Sequence, residues 1–178
     1  VLRVPTNGGS ETVLDDETLG KFRAGLRGAL LRSGDEGYDE ACKIWNGMID
    51  KRPALIVRCS GAADAIDAVN FARTHNLLVA IRGGGHNVAG NASCDDGIMI
   101  DLSLLKAVRV DQRARTARVQ GGATWGDVDR ETHVFGLAVP GGVVSTTGVA
   151  GLTLGGGMGW LMRKGGLSID NLLSVDIV

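Results

Sequence analysis

Residues Leu77–Asn87 read LLVAIRGGGHN: a β-branched run passes through an arginine into three consecutive glycines and ends on one of only three histidines in the chain. The run Leu77–Arg82 has the composition of a strand. Glycine lacks a Cβ and enters positive φ freely, so Gly83–Gly85 can bring successive backbone N–H groups close to a bound anion. The same glycines would equally serve a tight turn, and both readings stand on this stretch alone. A P-loop needs Lys followed by Ser or Thr after its last glycine, and a dinucleotide fingerprint needs a helix to open there. HNVAGNASCDDG supplies neither.

Upstream, PALIVRC from Pro53 to Cys59 reads as another strand. GAADAIDAVNFARTHN between the two reads as a helix, with Ser60 as its N-cap and Ala62, Ile66, Val69 and Phe71 or Ala72 as its buried stripe. This strand–helix–strand unit predicts a βαβ crossover with the two strands as parallel neighbours, and ligands bind at the carboxyl end of such strands. The glycine loop sits there.

Residues 1–16 read as a polar N-terminal arm. Leu19, Phe22, Leu26, Leu30 and Leu31 predict a helix from Glu17 to about Arg32, stopped by SGDEG. Beyond the loop, GIMIDLSLLKAVRVDQRARTARVQGGA alternates in short bursts and predicts a β-hairpin turning at DQRA. A short helix follows, with Thr124 as its cap and Trp125, Val128 and His133 on its inner face. Ten glycines then fall between Gly141 and Gly166, too many for an ordinary helix or strand. NLLSVDIV, ending at Val178, alternates like a strand, and with Val1 at the start the chain reads as a fragment. The fold class expected is α+β with one parallel βαβ element.

The charge balance, 19 basic against 20 acidic side chains, gives no electrostatic footprint for nucleic acid. No apolar run approaches the ~20 residues that cross a bilayer. Cys42, Cys59 and Cys94 have neither disulfide nor metal-ligand spacing and read as buried thiols of a reducing, cytoplasmic setting. His75 and His133 read as structural. His86, emerging from the glycines, could donate a hydrogen bond, ligate a metal or act as a nucleophile. Only Cys94, Asp95 and Asp96 could join it as metal ligands, so no metal site is expected. The second glycine cluster, with the hydroxyls of Ser145, Thr146 and Thr147 beside Gly148, adds a second candidate wall for an extended ligand such as a dinucleotide.

Together, RGGGHNVAG, IDLSLLKAVRVD, GGATWGDVDRET, FGLAVPGG and TTGVAGLTLGGGMGWLMRKGGLSIDNLLSVDIV resemble the FAD-binding domain of berberine bridge enzyme-like and 6-hydroxy-D-nicotine oxidase-like flavoproteins, of the vanillyl-alcohol oxidase fold type. The resemblance spans roughly Pro53 to Val178. It implies an N-terminal arm and helix over 1–50 and a truncated FAD-binding domain over 51–178, with a βαβ subdomain followed by a mixed or antiparallel sheet and without the substrate domain. It also implies FAD bonded covalently through His86, with Arg82, Gly83, Gly84, Gly85, His86 and Asn87 at the pyrophosphate. Val144, Ser145, Thr146, Thr147, Gly148, Gly151, Gly155 and Gly156 then form the opposing wall. Val144 falls where many relatives carry a second attachment cysteine, so a single attachment is implied. Thr147 falls where a Val or Leu governs oxygen access, which leaves oxidase and dehydrogenase both open.

The implied activity is hydride removal from a small hydroxylated or amine substrate, with oxygen or another acceptor taking the electrons. The resemblance also implies a catalytic base from parts beyond this chain, and Tyr38 lies outside any matching motif; this piece alone is expected to be inactive. Two alternatives accompany this reading: a non-covalent FAD reductase of the same fold, and a flavin- or nucleotide-binding module without catalysis.

Overall fold

The computed structural model describes residues 1–6 and 8–178. The chain divides into two compact units, residues 1–104 with Val178, and residues 105–177.

In the first unit a hairpin of β1 (Leu2–Pro5) and β2 (Glu11–Leu14) stands where an irregular arm was expected. Val4 and Leu14 are fully buried, and Thr6 bridges to Leu77, so apolar burial rather than turn chemistry decides this segment. Asn7, part of the same stretch, lies outside the described residues. Helix α1 (Asp16–Gly25) is capped by Asp15, whose carboxylate accepts from the Thr18 N–H at 2.7 Å. It ends seven residues sooner than the leucine spacing predicts. Leu30 and its neighbours instead form β3 (Ala29–Leu31), antiparallel to β4 (Leu55–Arg58). Gly28 explains the break, because a Cβ there would strike the Arg58 carbonyl oxygen.

Helix α2 (Tyr38–Cys42) precedes β4, and α3 (Ala62–Thr74) leads from β4 to β5 (Val79–Arg82). The two strands are parallel but not neighbours. β6 (Ile98–Asp101) inserts between them, giving the order β3-β4-β6-β5. Leu55 and Val79 both register with Ile98, and Arg58 and Arg82 both register with Asp101. Leu55–Val57 and Ile98–Ile100 are almost wholly buried, as central parallel strands covered on both faces must be. Ile56 and Met99 cluster with Tyr38, Ala41 and Cys42, and Tyr38 anchors that face by donating to the Pro53 carbonyl at 2.7 Å.

The buried face of α3 is Asp64, Ala65, Ala68 and Ala72; Ala62 and Ile66, expected inside, are exposed. The cap is also reversed. Ser60 does not cap as acceptor; its N–H and hydroxyl donate to Asp64 at 2.7 and 3.0 Å, and that carboxylate also accepts from the N–H groups of Arg27 and Gly28. Burial alone would raise the Asp64 pKa, but these donors outweigh it and hold the carboxyl below its usual value.

In the second unit β7 (Val108–Asp111) and β8 (Thr116–Val119) form the expected antiparallel hairpin. Helix α4 (Trp125–His133) starts at Thr124, whose N–H and hydroxyl donate to Asp127 at 2.8 and 2.9 Å. Trp125 and Val128 are buried as expected, but Thr132, not His133, completes the inner face; His133 is exposed. Short helices α5 (Val149–Leu154) and α6 (Met162–Gly165) and a 3-10 turn at Ile169–Asn171 punctuate the glycine-rich segment. Residues 172–178 form no strand, and Leu173, Val175 and Ile177 are exposed. Both helices and mixed sheets are present, as expected of an α+β fold.

Candidate functional site

The first candidate loop leaves the carboxyl end of β5. Of the three glycines only Gly85 has positive φ, +71°, and it is buried, while its carbonyl accepts the Trp45 N–H at 3.1 Å. Among the described residues, no protein acceptor lies within hydrogen-bond reach of the N–H groups of Gly83, Gly84 and Gly85. Three successive donors without a protein acceptor, the third on a left-handed residue, are the raw material of an anion-binding nest. The Arg82 side chain passes beside Gly85, its Nε 3.4 Å from where a Cβ on that residue would stand; its Nη1 donates to the Ala41 carbonyl at 2.7 Å, and its Nε is buried without a hydrogen-bond partner. Asn87 is exposed and ties the turn that follows, its Oδ1 accepting the Asn91 N–H at 3.0 Å and its carbonyl the Gly90 N–H at 3.1 Å.

His86 is half-buried and stacks on the Trp45 indole, with ring centroids 5.2 Å apart and 21° between planes. Burial holds its pKa below the ordinary histidine value and so favours the neutral imidazole. A neutral imidazole keeps a lone pair, which a nucleophile needs.

The segment that holds this loop was not legible as a site. Asn46 donates to the Val88 carbonyl at 2.9 Å, Lys51 reaches the carbonyls of Gly90 and Ser93, and the Arg52 N–H donates to Asp95. Ile49 packs on Gly90, where φ is +76° and any Cβ would collide with it. One signal could have flagged the segment. Trp45 stands in WNGMIDK with no helical or alternating apolar partners, a poor context for a core tryptophan.

The thiols are buried and free. Burial, with the Asp64 and Asp101 charges, pushes Cys59 up to about 12, and burial pushes Cys94 to about 11, so neither is a thiolate at neutral pH. Among the described residues no group of three His, Cys, Asp or Glu is placed to hold a metal ion. Nor is any helix there long and apolar enough to cross a membrane.

The second candidate loop belongs to the other unit. Val144 and Ser145–Gly148 run beside the start of α4: the Ser145 carbonyl accepts from Gly126 at 2.8 Å, the Thr147 carbonyl from Trp125 at 3.0 Å, and Gly148 bridges to Thr124. The Thr147 N–H donates to the Val144 carbonyl at 3.1 Å. Gly148 caps α5, Gly151 lies within it with open space where a Cβ would stand, and Gly155 closes it. Gly156 follows with φ +105°.

Several other glycines here serve packing. A Cβ on Gly141 would enter the Trp125 indole, one on Gly142 would strike Leu152, and one on Gly159 would enter the Gly141 carbonyl oxygen. One on Gly157 would strike Ser168, whose N–H donates to the Gly157 carbonyl at 2.9 Å.

Residues 53–178 match the FAD binding domain family. The chain belongs to this family. Over 91% of its length it is 39% identical to an FAD-linked oxidoreductase of Dictyostelium discoideum, covering 36% of that protein. It is also 39% identical, over 86% of its length, to (R)-6-hydroxynicotine oxidase of Paenarthrobacter nicotinovorans, covering 33% of it. Among solved structures, 6-hydroxy-D-nicotine oxidase from Arthrobacter nicotinovorans superposes with a TM-score of 0.79 at 39% identity, over 82% of this chain and 32% of that one. Wild-type Phl p 4.0202, a glucose dehydrogenase, superposes with a TM-score of 0.81 at 28% identity, over 89% of this chain and 35% of that one. The FAD-binding chain therefore spans about a third of the length of the relatives it matches.

Proposed function

We propose that this FAD-binding chain is part of an oxidoreductase that takes hydride from a small hydroxylated or amine substrate and holds its flavin covalently through His86. One observation carries the reading: the N–H groups of Gly83–Gly85 have no protein acceptor among the described residues, and the next residue is a half-buried histidine. The donors suit the negative oxygens of a dinucleotide pyrophosphate, and the histidine suits attachment at the ligand's far end. When bound, the flavin supplies the two-electron acceptor that no side chain can provide.

Within the chain, Gly83–Gly85 bind phosphate oxygens through backbone dipoles and His86 supplies the tether. Arg82, drawn to the Ala41 carbonyl, acts in this reading by bracing the loop and by adding positive charge beside it. Asn87 shapes the turn that follows. Val144, Ser145, Thr146, Thr147, Gly148, Gly151, Gly155 and Gly156 are assigned to FAD on their sequence alone. Val144 in place of a cysteine makes the attachment single. The working cofactor domain is assigned to residues 51–178, in accord with the family match over 53–178. A cytoplasmic setting is proposed from three free, buried thiols.

The test is acid precipitation of the full-length gene product. Flavin absorbance is expected in the pellet for the natural sequence and in the supernatant for His86→Ala. Flavin in the supernatant for the natural sequence would instead favour a non-covalent reductase. Anaerobic bleaching of the flavin by a hydroxylated or amine substrate would rule out a module without catalysis.

A further inference from the structure

We infer that Trp45 is a positioning residue for His86, its indole holding the imidazole in the orientation from which it is joined to the flavin; this rests on the reading above that His86 is the attachment residue. Trp45 is 62% exposed, so within this chain its ring fills no core. It lies on the imidazole, 5.2 Å between centroids and 21° between planes. Its backbone is fixed by the same loop: the Trp45 N–H donates to the Gly85 carbonyl at 3.1 Å, and Asn46 Nδ2 donates to the Val88 carbonyl at 2.9 Å. Consecutive residues 45 and 46 thus bracket His86 from both chain directions. A third tie lies behind them, where Arg82 Nη1 holds the Ala41 carbonyl at the end of α2.

A histidine at a loop tip has several staggered χ1 wells and a broad χ2, and most of those states point the reacting nitrogen elsewhere. An indole face against the ring narrows these states before the cofactor arrives by fixing the plane of the imidazole, the form of rate gain that comes from orientation rather than from a new chemical group. The cover also keeps the ring partly out of water and so favours its neutral form.

Attachment would have the imidazole give up its N–H proton and form one N–C bond to a ring-methyl carbon of the flavin, where one C–H bond would break; the two electrons and two protons so released would reduce the flavin, and dioxygen as external acceptor would take them up as hydrogen peroxide. Trp45 enters none of these bonds.

The full-length gene product is made in riboflavin-starved cells as the natural sequence, Trp45→Ala and Trp45→Phe, then mixed with FAD in air. Acid-precipitable flavin is followed with time, and reversible FAD uptake is measured separately by fluorescence. Trp45→Ala is expected to attach flavin about tenfold more slowly, the rate equivalent of one aromatic pair, with FAD uptake retained. Trp45→Phe, which keeps a ring face, is expected to restore most of the rate. In the flavin-free protein, the His86 ring followed by NMR is expected to titrate at higher pH in Trp45→Ala, because it loses cover. Attachment by Trp45→Ala at the natural rate would overturn the inference and leave covalent attachment standing. Equal slowing in both variants, or loss of FAD uptake by Trp45→Ala, would show a merely structural ring and overturn it too. No acid-precipitable flavin in the natural sequence would overturn the attachment reading itself, and this inference with it.

Discussion

Gly83–Gly85 and the glycines between Gly141 and Gly166 look alike as sequence and differ as structure. In the first group the missing side chains leave backbone donors open, with a single left-handed residue, Gly85, turning the chain. In the second, Gly141, Gly142, Gly157 and Gly159 are bare because Trp125, Leu152, Ser168 or another peptide occupies the space a Cβ would need. Glycine density therefore marks close approach, and what approaches can be a ligand or the protein's own backbone.

Alanine substitution in the two groups separates these roles. The largest loss is expected for Gly159→Ala, whose Cβ must displace the Gly141 peptide. Overpacking against a backbone that cannot move costs about 3 kcal/mol or more, read as a lower urea midpoint at unchanged slope. Gly85→Ala is the converse. It forces a non-glycine residue to φ +71°, with a Cβ 3.4 Å from Arg82 Nε, at a cost of about 1–2 kcal/mol. FAD affinity is expected to fall more than tenfold while the unfolding midpoint shifts less than for Gly159→Ala. If Gly159→Ala instead spared stability and abolished FAD uptake, the contrast between the two groups would be wrong.

A third measurement concerns what supports the first unit. Asp64 has its pKa lowered by the donors from Ser60, Arg27 and Gly28 against the opposing effect of burial. Its contribution is therefore complete above the unfolded carboxylate value and is lost as pH falls through the lower folded value. Stability measured from pH 7 down to 3 should decline, and Asp64→Asn should flatten that acid limb at a cost of about 1–3 kcal/mol at neutral pH. The smallest effect, about 1 kcal/mol, is expected for Thr124→Ala. It removes one hydroxyl donor to Asp127 while leaving the backbone bonds to residues 145–148 in place. Thermal unfolding would detect it, and FAD affinity should not change.

The loop, the strand before it and the hairpin at DQRA were legible because each depends on local chemistry: β-branched runs, glycines and turn residues. β6 was not, since IMID reads as readily as the start of an antiparallel burst as it does as a central strand. Its place between β4 and β5 is set by nonlocal burial of Ile98, Met99 and Ile100. α1 ran long in the sequence reading because Leu26, Leu30 and Leu31 keep helical spacing, whereas Gly28 must touch the Arg58 carbonyl. On α3 the inward face is small and acidic, Ala65, Ala68, Ala72 and Asp64, because the helix lies close to its sheet; a search for large apolar residues picks Ile66 instead. At the site, His86 was visible from its context, while Trp45 and Asn46 were not, because their partners lie some forty residues away.

The strand order also dictates a schedule. β4 and β5 share no ladder with each other, and β5 pairs, among the described strands, with β6 alone. During synthesis the glycine loop leaves the ribosome with its own strand unpaired, since β6 follows it in the chain. Only when Ile98–Asp101 has emerged does β5 gain a neighbour, and the loop a fixed end. The loop therefore has no fixed end until residues up to Asp101 have been made.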